Sequence, residues 1–73
     1  MYREELIAAT GPVARVIELA ESLWEDEDAI EQFFVTPNAA LGNQRPLDVA
    51  RTEAGAARVE NLLHRLAQQG HGR

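Results

Sequence analysis

Apolar residues recur along most of the chain at intervals of three and four positions, which is the spacing of one face of an α-helix. The clearest helix follows Thr10-Gly11-Pro12, because a proline suits the first helical turn, where its missing N–H is not needed. Its predicted buried stripe comprises Val13, Val16, Ile17, Ala20, Leu23 and Trp24. A shorter helix is predicted before it, at residues 2–9. No stretch alternates as a strand does, so we predict an all-α fold, a small bundle of four to five short helices.

The acidic run at residues 25–28 marks the start of the next helix. Carboxylates accept hydrogen bonds from the unpaired N–H groups at a helix N-terminus and suit its positive end. We prefer this interpretation to a metal site, because no ligand of another type lies near the run. The short helix that follows has one apolar face, made of Ala29, Ile30, Phe33 and Phe34.

A segment rich in proline, asparagine and glycine, VTPNAALGNQRPLD at residues 35–48, comes next. Gly42 tolerates left-handed backbone, and the residues before Pro37 and Pro46 are restricted to extended geometry. Leu41 is either a plug that folds onto the core or an anchor for another chain. We favour the plug, because an ordered loop needs apolar packing to offset its entropy. The segment is interpreted as a rigid connector between two pairs of helices.

The last part of the chain predicts a brief helix that begins at Pro46 and a longer one with Thr52 as N-cap. Gly55 is small enough to let another backbone approach closely. Gly70 is a natural helix stop, and the residues around and after it are predicted to fray. The stripe of the longer helix comprises Ala56, Val59, Leu62, Leu63 and Leu66. The predicted core of the whole chain comprises Val16, Ile17, Trp24, Ile30, Phe33, Phe34, Val59, Leu62, Leu63 and Leu66.

Charge is distributed unevenly over the chain, whose formal net charge is -5. Residues 1–35 hold nine acidic and two arginine side chains, a net -7, whereas residues 36–73 hold three acidic and five arginine side chains, a net +2. The acidic half repels phosphates, so nucleic-acid binding by this chain alone is not expected. Lysine and cysteine are absent, which excludes Schiff-base chemistry, disulfides and thiolate zinc sites. No membrane span or signal peptide is predicted, so the expected location is the cytoplasm.

Candidate catalytic residues are few. Ser22, the only serine, lies on the polar side of a helix without a glycine-rich turn around it. His64 follows Glu60 by four positions, a spacing typical of a surface pair. His71 could share a helix face with His64 and bind a metal only if the helix continued through Gly70. We therefore expect no catalytic residue, no metal and no cofactor.

The last forty residues carry a motif with defined spacing. An aromatic pair precedes T-P-N-x-A-L-G-x-x-x-P-L, and after a short gap comes T-E-x-G-x-x-x-V-x-x-L-L. The matching residues are Phe33, Phe34, Thr36, Pro37, Asn38, Ala40, Leu41, Gly42, Pro46, Leu47, Thr52, Glu53, Gly55, Val59, Leu62 and Leu63. This pattern resembles the toxin-binding domain of the Xre/MbcA/ParS antitoxins. With the upstream helix and acidic turn, the similarity covers residues 13–68, and we expect residues 1–73 to form a single toxin-binding domain.

The resemblance implies a partner and a mode of action. Such antitoxins bind toxins with a RES domain, which consume NAD, and they cover the NAD pocket without catalysing a reaction themselves. Family members usually carry a helix-turn-helix-like DNA-binding domain before this region, whereas this chain has about a dozen residues there, so no complete DNA-binding domain is expected. The resemblance favours the last helix and the tail as the surface that faces the toxin. The predicted partner contacts are Leu41, Asn43, Arg45, Arg58, His64, Arg65, Gln68 and Arg73.

An alternative interpretation is a homodimeric structural or regulatory module without a toxin partner. In that case Gly55, Ala56 and Ala57 would pack against the same residues of a second copy. A neighbouring gene for a RES protein, or co-purification with such a protein, would decide between the two interpretations.

Overall fold

The helices follow one another in the predicted order. The computed structural model describes residues 9–71, and the side chains of residues 9–68. Its four α-helices are α1 (Gly11–Leu23), α2 (Glu27–Val35), α3 (Pro46–Val49) and α4 (Glu53–His71), and a 3₁₀ turn lies at Ala39–Leu41. The described residues form no strand, so the all-α prediction is confirmed. The helix predicted at residues 2–9 lies outside the described residues except for Ala9, which is not helical.

Helix α1 begins at the predicted glycine–proline pair. Thr10 is extended, and Gly11 has a φ of +65°, which glycine adopts without a steric penalty. Pro12 then occupies the first turn, where no partner for its nitrogen is required. At the other end, the amide of Trp24 donates a hydrogen bond of 2.9 Å to the carbonyl of Ala20, and the chain turns away in extended geometry. The predicted start of a helix at Gly11 and Pro12 is therefore confirmed.

The acidic run caps helix α2. Asp26 is the N-cap, and its Oδ1 accepts hydrogen bonds from the amides of Asp28 (3.0 Å) and Ala29 (3.2 Å). Glu27 and Asp28 occupy the first turn, where negative charge interacts favourably with the helix dipole. The predicted role of the run as a helix start is therefore confirmed.

The core lies between α1 and α4, which form the largest helix contact, and α3 joins α2 to α4. Its largest fully buried side chains include Phe34, Leu63, Val16 and Val59. The complete set of buried apolar residues is Val13, Val16, Ile17, Ala20, Ile30, Phe34, Leu41, Leu47, Val49, Ala50, Ala56, Val59, Leu62 and Leu63. Three of the four residues of helix α3, Pro46, Leu47 and Val49, are buried.

Three residues predicted for the core, Trp24, Phe33 and Leu66, are only partly buried and pack against its edge. Trp24 follows the end of α1 instead of continuing its stripe. Leu66 lies in the later turns of α4, which at about 28 Å is longer than α1 at about 20 Å and cannot be covered by it along its whole length. Ala29, assigned to the apolar face of α2, is exposed because it lies about 100° around the helix from the buried Ile30.

Gly55 is the point of closest backbone approach. A Cβ built on this residue would lie 1.7 Å from the carbonyl oxygen of Val49 at the end of α3. The amide of Gly55 donates to Thr52 Oγ1 at 3.0 Å, which supports the predicted start of α4. The predicted close approach is confirmed, and the approaching backbone belongs to the same chain.

The predicted helix stop at Gly70 is wrong, because α4 continues to His71. Glycine costs about 1 kcal/mol relative to alanine inside a helix, a penalty that the preceding turns of a long helix can absorb. Glycine permits the left-handed conformation that ends many helices, but it does not impose it. The frayed tail was predicted over residues 68–73, but residues 68–71 are helical, and residues 72 and 73 lie outside the described residues.

Candidate partner-binding surface

The connector between α2 and α3 is held rigid by one asparagine. The carbonyl of Asn38 accepts hydrogen bonds from the amides of Leu41 and Asn43, each at 2.9 Å, and its Oδ1 accepts one from the amide of Ala40 at 2.9 Å. The amide of Asn38 donates to the carbonyl of Gln44 at 3.1 Å, which closes the loop. These bonds pair several backbone polar groups of the connector with one another, which costs less than leaving them unpaired.

This conformation turns Leu41 inward. Gly42 and Asn43 both have positive φ, +68° and +63°, and together reverse the chain after the 3₁₀ turn. Leu41 is 3% exposed and belongs to the core, so it acts as the plug. It is therefore removed from the predicted partner contacts. Asn43 is exposed at the tip of the loop.

Arg45, a further predicted contact, forms a local ion pair. Its Nε and Nη2 donate to the two carboxylate oxygens of Asp48, both at 2.9 Å, and Arg51 Nη2 lies 3.6 Å from Asp48 Oδ1. The hydrogen bonds from Arg45 lower the pKa of Asp48, although partial burial opposes this effect. Arg45 is partly buried in this arrangement, so its first role is to hold the start of α3.

Four predicted contacts, Arg58, His64, Arg65 and Gln68, lie on the exposed side of α4. Arg58 and Arg65 are seven positions apart, which places them on one edge of the helix with about 10 Å between them along its axis. Neither forms an ion pair with another described residue. Arg73 lies outside the described residues. The structure therefore brings the helical part of the predicted set onto one exposed surface.

The opposite edge of α4 is acidic, which sequence reasoning missed. Arg15 of α1 donates to both carboxylate oxygens of Glu53, at 2.7 and 3.2 Å, across 38 positions of sequence. This hydrogen bonding raises the pKa of Arg15 and lowers that of Glu53, and Glu60 adds to the effect on Arg15. Since Glu53 and Glu60 are also seven apart, α4 has an acidic edge toward α1 and an arginine edge away from it. The alternating charges in the sequence carried this signal, but only the packing of α1 assigned the edges.

An open groove lies at the turn between α1 and α2. Its lining residues are Leu23, Trp24, Glu25, Asp26, Ala29 and Phe33, and its volume is about 530 Å³. The rings of Trp24 and Phe33 meet edge to face, with centroids 5.6 Å apart and an interplanar angle of 71°. Phe33 continues the contact inward to Phe34 at 5.1 Å. The aromatic residues predicted as core thus form the wall of a surface feature.

Of the candidate catalytic and metal-binding groups, Ser22 is engaged within its own helix. The hydroxyl of Ser22 donates to the carbonyl of Leu19 at 2.7 Å, a bond within its own helix. The helix does continue through Gly70, the condition set for a shared face of His64 and His71. Their spacing nevertheless corresponds to about 10 Å along the axis, against about 6 Å for the i, i+4 pairs of zinc-binding helices. No group of three metal-ligating side chains occurs in the part of the chain that the structure describes.

The small residues of the alternative, homodimeric interpretation are mostly covered within the chain. Gly55 and Ala56 are buried by the chain itself, and of the three residues only Ala57 is exposed. Within residues 9–71, no helix is both long and apolar enough to cross a membrane. The arginine edge of α4 and the groove at the turn are two exposed features of the described residues.

Comparison with known proteins supplies the family. Comparison with curated proteins and with solved structures gives no significant match. The model of the family described as antitoxin Xre/MbcA/ParS C-terminal toxin-binding domain matches residues 19–68. The match starts at residue 19 instead of residue 13, and it includes α2, the connector, α3 and most of α4. Because it spans more than half of the chain, the protein belongs to the family of Xre/MbcA/ParS antitoxin toxin-binding domains.

Proposed function

We propose that this chain neutralises a RES-domain toxin by laying α4, with its arginine edge and its C-terminal end, over the toxin's NAD-binding pocket. The chain acts as a single toxin-binding domain, catalyses nothing itself, and works in the cytoplasm, where the NAD that such a toxin consumes is found. Family membership supports the toxin as partner. The observation that carries the choice of surface is the separation of charge on α4, with its glutamates toward α1 and its arginines outward.

The arginine edge suits a protein interface. Arg58 and Arg65 are exposed and form no ion pair with described residues, so their guanidinium groups can pair with carboxylates or carbonyls of a partner. Arginine is among the residues that contribute most to binding energy at protein interfaces. Asp48 holds Arg45, and Glu53 holds Arg15, so these two arginines serve the fold first. The pattern distinguishes arginines that stabilise the fold from arginines that can bind a partner.

The shape of α4 supports the same surface. Leu62 and Leu63 are buried, whereas Leu66 is only partly buried, so the cover of α4 decreases toward its C-terminus. The helix continues to His71 instead of stopping at Gly70. A helix end that projects from the body of the domain can enter a concave pocket, the usual shape of a nucleotide site.

The test measures NAD consumption by the purified toxin encoded beside this chain, titrated with variants of the chain. Arg58→Gln combined with Arg65→Gln should raise the concentration needed for half-inhibition at least about tenfold, because two charge-assisted contacts are lost. Arg51→Gln is the matched control: it removes an exposed arginine whose only ion pair among the described residues is the long one to Asp48, 3.6 Å. This control should inhibit as the parent does.

A truncation after Leu66 sharpens the test. The buried part of the α4 stripe ends at Leu63, so the fold should survive, as judged by circular dichroism. Inhibition should weaken or disappear, because the segment proposed to cover the pocket is gone. Full inhibition by the folded, truncated chain would place the interface elsewhere. If an equimolar amount of the parent chain did not reduce NAD consumption by the toxin, the proposed function itself would be overturned.

A further inference from the structure

The groove at the α1–α2 turn is a largely apolar surface feature whose aromatic residues are only partly buried. Trp24 and Phe33 form its wall with their edge-to-face contact. The small, exposed side chain of Ala29 also lines the groove and leaves it open. Tryptophan is the residue most enriched at the energetic centres of protein interfaces, and this is the only tryptophan of the chain. A partly buried tryptophan beside an open groove is therefore a candidate anchor point.

The charge at the rim selects the occupant. Glu25 and Asp26 line the groove, two further carboxylates follow directly in the first turn of α2, and no basic residue is among the lining residues. Anionic lipids and nucleic acids are repelled by such a rim. A second copy bound through the same groove would place these carboxylates opposite one another, because an isologous interface pairs each patch with itself. A basic protein surface is the occupant that fits.

We propose that the groove binds a segment of the same toxin, anchored by an arginine or lysine side chain. This inference rests on the proposed function for the identity of the partner. The apolar stem of such a side chain can lie along Phe33 and Ala29, while its charged head lies over the indole of Trp24 and pairs with Glu25. The groove is thus a second contact with the toxin, in addition to the arginine edge of α4.

The test compares two alanine-to-arginine variants of the whole chain. Ala29→Arg places a cation and a long side chain in the groove. Ala39→Arg is the matched control, because Ala39 is also an exposed alanine at the start of a helical turn and lies outside both the groove and α4. Circular dichroism melts are recorded first, and both variants are expected to unfold within a few degrees of the parent, since neither site is buried.

Binding to the toxin is then measured directly, by biolayer interferometry without NAD. Ala29→Arg should raise the Kd at least about tenfold, while Ala39→Arg should leave it within about twofold of the parent. Glu25→Gln should reduce mainly the association rate constant, and the reduction should shrink at high salt, because the charge at the rim acts by steering.

The outcomes separate the inference from the proposed function. If the parent chain does not bind the toxin, the proposed function fails, and this inference fails with it. If the parent binds and Ala29→Arg binds equally well, the groove is not a contact and the proposed function stands. Equal weakening by Ala29→Arg and Ala39→Arg would show a general charge effect and would also overturn the inference.

Discussion

The two connections on either side of α2 treat their large apolar residue in opposite ways. Residues 36–45, between α2 and α3, bury Leu41 until 3% of it is exposed. Residues 24–26, between α1 and α2, leave Trp24 at the edge of an open groove. The first connection has enough residues to reverse direction at Gly42 and Asn43, whereas the second has none to spare beyond the cap of α2.

The difference shows what the length of a connection is used for. The long connection satisfies its own backbone through Asn38 and then returns a side chain to the core. In the short turn, the side chain of Asp26 accepts hydrogen bonds from two amides of α2. The turn has too few residues to fold back over Trp24. The long connection therefore adds a buried side chain to the core, whereas the short turn leaves apolar surface exposed, and such surface can bind a partner. Four experiments test this comparison, from the largest expected effect to the smallest.

The contact between the end of α3 and Gly55 of α4 should tolerate substitution least. Gly55→Ala puts a Cβ where the carbonyl oxygen of Val49 lies, 1.7 Å from its ideal position, so α3 must move away from α4. A domain of this size has about 5 kcal/mol of stability, and we expect no cooperative thermal transition. Gly42→Ala is the control: its Cβ meets nothing within 4 Å, and only the positive φ costs about 1 kcal/mol. A normal melt for Gly55→Ala would show that α3 can shift freely.

Truncation of the two apolar residues should differ in cost. Leu41→Ala removes a buried side chain and should lower the free energy of unfolding by about 2–5 kcal/mol. Trp24→Ala removes a larger but partly exposed side chain and should cost about 1–2 kcal/mol. Urea denaturation measures both. Equal costs would remove the distinction between plug and groove. Of the two variants in their folded state, only Trp24→Ala should bind the toxin more weakly than the parent.

The short turn should depend on one carboxylate. Asp26→Ala removes the acceptor for the amides of Asp28 and Ala29 and should cost about 1 kcal/mol, the usual value of an N-cap. Glu25→Ala, the neighbouring exposed carboxylate, should change stability by less than about 0.5 kcal/mol. If the two variants melt together, the acidic run acts by its summed charge and not by the cap.

The smallest effect concerns pH at the end of the long connection. Arg45 lowers the folded-state pKa of Asp48, so the stabilisation is present above the unfolded value, 3.8, and is lost as pH falls through the lower, folded pKa. The side chain of Asp48 is 47% exposed, which limits the contribution to about 0.5 kcal/mol. Asp48→Asn should therefore be less stable than the parent at pH 7 and equally stable near pH 2. A constant difference between the two across this range would assign the effect to packing.

Much of the fold could be predicted because its signals are local. The proline at the start of α1, the aspartate cap of α2, and the glycine that admits the end of α3 each act through their own backbone geometry or that of near neighbours. Gly70 was misread because glycine permits a helix stop without enforcing one. The candidate surface was only partly predictable, since four of its residues lie together on α4 while Leu41 is buried and Arg45 is paired.

The sequence by itself determined where the helices begin, the cap of α2, most of the residues they bury and the family motif of residues 33–63, because periodicity and turn chemistry are short-range properties. The tertiary structure alone decided that Leu41 turns inward and that Trp24 does not. It also decided that Arg15 pairs with Glu53, which leaves the arginines of α4 facing outward. These outcomes depend on which helix faces are packed together, and that choice is made by the whole core at once, not by any single stretch of residues.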